Sequence, residues 1–421
     1  MKRILIFLGV IIVLSALVFV LSSKSVATPS SSKEILRNTA QNLEQSKPQK
    51  IQTLVNHKIT LSKIGSFNLK APQNFAISVA AEGYKQLRFM AFSPDNRLFV
   101  TEMYTRGDTK KGKLYIFENF NEKTKKFEKV TTYLQNLRNP NSVAFYTDRE
   151  GKTWLYLALT DKLVRYQYHQ GDIKPHDAGQ TIATFPDYGL NYKYGGWHLT
   201  RTVAVHDDKI YVAVGSSCNS CEEKEAVRAS IVQMDPDGKN QKTYATGLRN
   251  SVGITFVNNQ LFATGMGADH LGNDRPEDNL YTVQEGKNYG WPYCYQYQNK
   301  IYEDNSQKWK NKTISCSDVP LAFNDFAAHS APLGLKFFDE STNMSELKNT
   351  FLVALHGAGK TSLDRGNKIV RVQKDIPPED LITGFLQNGK RVGRPVDIVS
   401  NNSNGFFFSD DLAGVIYYIE K

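Results

Sequence analysis

Phe89-Met-Ala-Phe-Ser-Pro-Asp-Asn-Arg-Leu-Phe-Val-Thr-Glu102 reads as an apolar strand, a polar turn and a second strand of β-branched and aromatic residues. The same phrase returns at 142–159, 202–215, 253–265, 333–355 and 396–409. Several copies are followed by a further strand candidate, as at 113–117, 368–372 and 415–419. A strand-turn-strand unit recurring roughly every 50–80 residues, with three to four strands per unit, is the signature of a β-propeller. A two-sheet sandwich does not require six copies of one phrase, and no long amphipathic segment interrupts the series. The pattern predicts an all-β, six-bladed β-propeller over residues 67–421, with the last strands closing the ring beside the first.

Composition agrees. Tyr and Phe number 21 and 23 while Met numbers 6, a balance that suits strands. The 421 residues are 40% hydrophobic and 22% charged, which excludes wholesale disorder, collagen and a polytopic membrane protein. Net charge is 52 minus 42, or +10, densest at Lys110, Lys111 and Lys113 and at Lys123, Lys125, Lys126 and Lys129. No helix-turn-helix, zinc-finger or RNA-binding signature accompanies these lysines, so they read as solvated faces and no nucleic-acid partner is expected.

Upstream, Met1-Lys2-Arg3 is followed by an apolar run at 4–21 broken only by Gly9 and Ser15. Its length favours an uncleaved membrane-anchor helix (1–22), with cleavage after Ala27 as the alternative. Either reading exports the remainder, and Lys2 and Arg3 stay cytoplasmic by the positive-inside rule. Residues 23–66 are polar and lack aromatic residues up to Ser66, and they read as a tether with one weak helical stripe, Ile35, Leu36, Ala40 and Leu43. The expected location is the cell envelope, on its periplasmic or extracytoplasmic face, with the chain anchored in the inner membrane.

A propeller is a scaffold, so function lies in its loops. Gly195-Gly-Trp-His-Leu-Thr-Arg201 places His198 at the start of a strand, flanked by Tyr188, Tyr192 and Tyr194. Gly247-Leu-Arg-Asn-Ser-Val-Gly253 offers Arg249 and Asn250, which suit a polyanionic or multi-carbonyl ligand or stabilise a turn. Residues 265–279 carry Asp269, Asn273, Asp274, Glu277 and Asp278, hard oxygen ligands for a cation or merely solvated acids. Further loops read Asn288-Tyr-Gly-Trp-Pro-Tyr-Cys294, His329-Ser-Ala-Pro-Leu-Gly334, His356-Gly-Ala-Gly-Lys360 and Arg391-Val-Gly-Arg-Pro-Val-Asp397. Gly357-Ala-Gly-Lys-Thr361 mimics part of a phosphate loop but lacks its first glycine and any βαβ setting. In an exported chain, Cys218 with Cys221 and Cys294 with Cys316 are expected as disulfides, with a four-cysteine zinc site as the alternative.

Taken in order, Gly-Gly-Trp-His-Leu-Thr-Arg-Thr, Ser-Ser-Cys-Asn-Ser-Cys, Gly-Leu-Arg-Asn-Ser-Val-Gly, Asn-Tyr-Gly-Trp-Pro-Tyr-Cys, His-Ser-Ala-Pro-Leu-Gly and Gly-Arg-Pro-Val-Asp resemble one family. It is the sorbosone dehydrogenase and soluble aldose sugar dehydrogenase family of quinoproteins, which use pyrroloquinoline quinone (PQQ). The resemblance implies PQQ across the channel mouth, a calcium ion (Ca2+) beside it, and oxidation of an aldose or related alcohol or aldehyde. It implies that His198 takes a proton from a sugar hydroxyl while hydride passes to the quinone. Arg249 and Asn250 fall where the family contacts the quinone oxygens, and Gly267 and Ala268 where main-chain carbonyls bind calcium. His329, His356, Lys360 and Arg394 fall at other cofactor-contacting positions. The sequence departs from the glucose-oxidising members in the Arg391-Val-Gly-Arg394 spacing and in a longer calcium loop carrying His270 and Arg275. The implied partners are a sugar substrate and an external electron acceptor. Rival readings are a non-catalytic membrane-anchored propeller that binds a glycan or protein, and a calcium-dependent lactonase-type hydrolase.

Overall fold

A computed structural model describes residues 48–187, 197–363, 365–400 and 402–421. Six four-stranded antiparallel sheets are present among them. Blade 1 runs Gln86–Phe92, Leu98–Met103, Gly112–Asn121 and Lys126–Leu137 from the channel outward. Blade 2 begins with Ser142–Thr147, blade 3 with Arg201–His206 and blade 4 with Ile254–Val257. Blade 5 begins with Pro332–Phe338 and blade 6 with Pro395–Val399. These six first strands touch one another in succession around the ring. The outermost strand of blade 6 is Ala76–Glu82, paired with Val415–Glu420, so the first part of the body closes the ring against the last.

Local chemistry explains the repeat. Asp207-Asp208 and Asn258-Asn259 take positive φ (46° and 53°, 46° and 63°) at the two-residue turns between the first and second strands of blades 3 and 4. Asn and Asp tolerate that conformation, and its twist matches the flanking strands. Alternation along the strands then sends apolar side chains into the gaps between blades. Phe99, Leu114, Leu155 and Leu157 fill one gap, and Val212, Val214, Ile210 and Tyr156 the next. The core is therefore distributed over the interfaces around the ring.

The tether boundary needs correction. Leu54–Leu61 and Gly65–Pro72 form a hairpin whose Ile59, Leu61, Phe67, Leu69 and Ala71 are buried in the cluster between blades 5 and 6. Lys70 and Thr383 exchange two main-chain hydrogen bonds, each of 2.9 Å, fixing the hairpin to the ring. The expected anchor at 4–21 and the tether up to residue 47 lie outside the described residues. No helix among the described residues is long and apolar enough to cross a membrane. Both expected disulfides are formed, which removes the zinc alternative.

Candidate active site

Antiparallel pairing puts the start of each first strand and the end of each second strand at one end of the ring. Arg201 lies opposite Val214, Pro332 opposite Leu355, and Gln86 opposite Met103. The loops singled out in the sequence therefore converge at one mouth. There, a cavity of ≈490 Å³ is lined by His198, Arg249, Gly267, His329 and Lys360, among others. A second cavity of ≈270 Å³ lies on the other flank of Trp197 and His198 and adds Arg88, Arg106, His356 and Asp411.

His198 is held in a strained backbone state, φ 48°. Arg201 donates through Nη1 to its carbonyl at 2.7 Å, which fixes that turn. The ring's Nδ1 lies 3.0 Å from the Ser216 carbonyl and 2.9 Å from Ser216 Oγ. A carbonyl only accepts, so Nδ1 carries the proton and Nε2 keeps its lone pair. Nε2 has no hydrogen-bond partner among the described residues. Burial and then the positive charge of Arg249 hold the His198 pKa well below the ordinary value, so the ring is neutral at physiological pH. Gly215 makes room for this arrangement: a Cβ there would lie 2.5 Å from His198 Cβ and 2.6 Å from Asn250 Oδ1.

Arg249 is only 5% exposed. Its Nε donates to the Asn219 carbonyl at 2.8 Å and Nη2 to Asn219 Oδ1 at 2.8 Å. Asn219 sits inside the Cys218–Cys221 loop, and its Oδ1 also accepts from the Asp269 amide at 2.9 Å. The short disulfide loop is thus a bracket for the arginine. Its own outer side is braced by the 294–316 insertion, where Glu222 accepts from the Asn311 amide at 2.6 Å and Gln307 donates to the Ser220 carbonyl. Asn219 was not evident from sequence. Only its position between two cysteines marked it.

In the acidic loop the side chains divide. Asp274 turns outward to Arg365, and Asp269 reaches His329 Nδ1 at 3.3 Å. Asp278 turns inward and accepts from the amides of Gly267 and Ala331, both at 2.7 Å. Burial raises its pKa to about 6 against the pull of those two amides and of Arg249. Among the described residues neither the Gly267 nor the Ala268 carbonyl accepts a hydrogen bond. Ala268 lines a small neighbouring cavity with Gly267 and Arg249.

The remaining candidates are brought close but play different parts. His329 lines the larger cavity and its Nε2 donates to the Gly272 carbonyl at 2.9 Å. Asn250 is buried, with Nδ2 against Met266 Sδ. Arg394, also buried, donates to the carbonyls of His356 (2.8 Å) and Gly357 (2.5 Å). Arg391 donates to those of Ala358 and Gly359. The altered arginine spacing thus clamps four consecutive carbonyls of the loop that presents Lys360. His356 Nε2 meets Asp411 Oδ1 at 2.8 Å, and Asp411 Oδ2 accepts from Arg88 at 2.9 Å. Tyr188, Tyr192, Tyr194, Gly195 and Gly196 lie outside the described residues.

Comparison with known proteins places this geometry. The holo form of the pyranose dehydrogenase PQQ domain from Coprinopsis cinerea superposes with a TM-score of 0.68 at 18% identity, covering 84% of this chain and 97% of that one. The calcium structure of a Carbohydrate-Active Enzymes Family AA12 protein from Trichoderma reesei gives 0.67 at 19%, covering 83% and 96%. The apo soluble aldose sugar dehydrogenase of Escherichia coli gives 0.56 at 13%, covering 82% and 99%. At these identities the likeness is one of fold. An uncharacterized protein of Borreliella burgdorferi is 28% identical over 320 residues, 70% of this chain and 80% of that protein. Residues 69–421 match the family model described as TrAA12-like, and with all six blades inside that match the chain belongs to the TrAA12-like family.

Proposed function

We propose that the chain is an exported PQQ- and calcium-dependent dehydrogenase of an aldose sugar or related alcohol or aldehyde. One observation carries the reading: a neutral histidine with a tethered Nδ1 and an unpartnered Nε2 lies on the wall of a cavity that also holds Arg249, His329 and Lys360. The residues fit the cofactor. PQQ is a polycarboxylate with an ortho-quinone, and Arg249 and Lys360 bring positive charge to a cavity of sufficient size. The Gly267 and Ala268 carbonyls, with Asp278 behind them, are hard oxygens suited to calcium. When bound, PQQ supplies the two-electron acceptor that the polypeptide lacks.

The protein's own work is then proton handling and positioning. His198 Nε2 accepts the hydroxyl proton of the sugar, and Ser216 stabilises the imidazolium through Nδ1–H. Arg249, held by Asn219, places positive charge where negative charge accumulates. Asn250, His356 and Arg394 support these groups from behind. The extracytoplasmic location, the anchor at 4–21 and an external electron acceptor belong to the same proposal. It is tested by titrating PQQ and calcium into the apo-protein. The expected result is a saturable absorbance change followed by dye-linked oxidation of an aldose panel, with EDTA preventing reconstitution. Absence of any spectral change overturns the reading in favour of a non-catalytic binding propeller.

A further inference from the structure

The second cavity has an uneven charge inventory. Asp411 is committed to Arg88 and His356. Burial, with Arg394 and Arg88 reinforcing it against the pull of Asp411, keeps His356 uncharged. Asp108, close in sequence to the rim, is held by Arg138 at 2.9 Å. Glu102 accepts from the Lys85 amide and the Tyr115 hydroxyl. Arg106, exposed on the cavity wall, has no hydrogen bond or ion pair among the described residues. Lys85 and Lys111 stand over the Tyr104 ring, 5.7 and 5.0 Å from its centroid, and the exposed Lys110 lines a different cavity with Arg138 and Asp161. None of these three lysines has a carboxylate partner among the described residues. Two residues on from Tyr104, Arg106 enters a cavity shared with His198.

The cavity also carries a flat apolar surface. Trp197 is 45% exposed and lines both cavities, with its ring 5.8 Å from that of His198. Gln86 and Thr200 add neutral hydrogen-bonding groups. A sugar ring presents an apolar C–H face and a hydroxyl edge, which match an aromatic plane beside short polar groups. A positive charge without a partner at the same place is matched by an anionic substituent, and a guanidinium pairs with a carboxylate through two parallel bonds. We propose that the second cavity binds a carboxylate-bearing sugar, a uronate unit, with the ring on Trp197, the carboxylate on Arg106 and a hydroxyl at His198 Nε2. This rests on the dehydrogenase reading for turnover but not for binding.

Two measurements test it. In the PQQ-reconstituted full chain, D-glucuronate and D-galacturonate are compared with D-glucose and D-galactose. One charge-assisted contact predicts roughly 10–100-fold higher kcat/KM for the uronates at low salt. That preference should shrink as salt screens the exposed rim. Arg106→Gln should bring the uronate-to-neutral ratio toward one, and Arg106→Lys should restore part of it. Independently, D-glucuronate titrated into cofactor-free protein should quench tryptophan fluorescence saturably, more strongly than D-glucose, with the signal lost in Trp197→Phe. Equal binding of charged and neutral sugars, or a ratio that survives Arg106→Gln, overturns the proposal. So does absence of binding of either sugar. A missing absorbance change with PQQ defeats the dehydrogenase reading alone and leaves the fluorescence titration to decide this one.

Discussion

Two histidine loops face each other across the second cavity, and they are chemically unlike. His198 anchors its Nδ1 on a neutral carbonyl and leaves Nε2 without a protein partner. His356 gives its Nε2 to Asp411, whose other oxygen holds Arg88. Burial depresses both rings and each keeps one nitrogen without a partner among the described residues, so what differs is the group on the other nitrogen, a neutral carbonyl at His198 and a carboxylate at His356. Asp411 stays ionised although burial alone would raise its pKa, because the His356 ring and the Arg88 and Arg394 guanidiniums face it. The difference shows that a histidine's role is set by what its first nitrogen touches. Burial does not distinguish the two.

The largest expected effect tests that contrast directly. His198→Gln keeps size and hydrogen bonding but cannot take a proton at the reacting position, so kcat should fall by about 10²–10⁴-fold. His356→Gln should lower kcat far less and instead lower the melting temperature, since it leaves Asp411 and Arg88 with a weaker third partner. Equal losses of kcat in the two variants would erase the distinction.

Next in size is the arginine bracket. Arg249→Ala should weaken PQQ binding, read as the midpoint of the absorbance titration, by roughly 10–100-fold, the range for a charge-assisted bond. Asn219→Ala should follow in the same direction by less, because the guanidinium remains and keeps its bond to the main-chain carbonyl of residue 219 while losing the one to Oδ1. If Asn219→Ala leaves both PQQ affinity and kcat untouched, the disulfide loop is only a surface staple.

These effects bear on what the sequence disclosed. The blades were legible because each strand pair carries its own alternation, closed in blades 3 and 4 by a two-residue Asx turn, all within a short stretch of chain. The convergence of His198, Arg249 and Gly267 on one mouth was legible because a short phrase places each in a loop at that end of the ring. The 54–61 strand escaped because its turn, Ser62-Lys-Ile-Gly65, lies in a polar stretch and its partners are far along the chain. Asn219 and the Arg391–Arg394 clamp escaped for a related reason. Their roles are defined by main-chain carbonyls and side chains 30 or more residues away, and no local pattern records which carbonyl an arginine will find.

The pH dependence sharpens the comparison further. In the cofactor-free protein, His198 observed by imidazole proton NMR should titrate well below 6.5, and Arg249→Gln should move that midpoint upward by removing a neighbouring cation. Both histidines bind protons more readily when unfolded. Their contribution to stability is therefore present above 6.5 and is lost as pH falls toward their folded values.

The smallest effect is expected at Asp397 on the first strand of blade 6. Burial raises its pKa to about 7 although it accepts the Met90 amide at 2.9 Å. A carboxyl with a raised folded pKa is protonated in the fold before it is in the unfolded chain, so ionising it between about pH 4 and 7 lowers stability. Asp397→Asn should therefore raise the melting temperature at pH 8, by an amount on the order of 1–3 kcal/mol in stability, and change little at pH 4. A gain that is the same at both pH values would assign the effect to packing.

The seam of the ring has a consequence for assembly. Arg88 belongs to the first blade and Asp411 to the sixth, 323 residues apart, and they meet where the ring closes, with Ala76–Glu82 paired to Val415–Glu420 and the first strands of the two blades in contact. Contacts of such sequence separation form late and slowly, since a long loop must close before they are rewarded. One wall of the second cavity is thus contributed by each side of the closure. A chain still emerging from synthesis can form the contacts of the Arg249 guanidinium, whose partners Asn219 and Asp269 both precede the fifth blade, while the Arg88–Asp411 side does not yet exist. The mouth is complete only when the sixth blade has docked on the first.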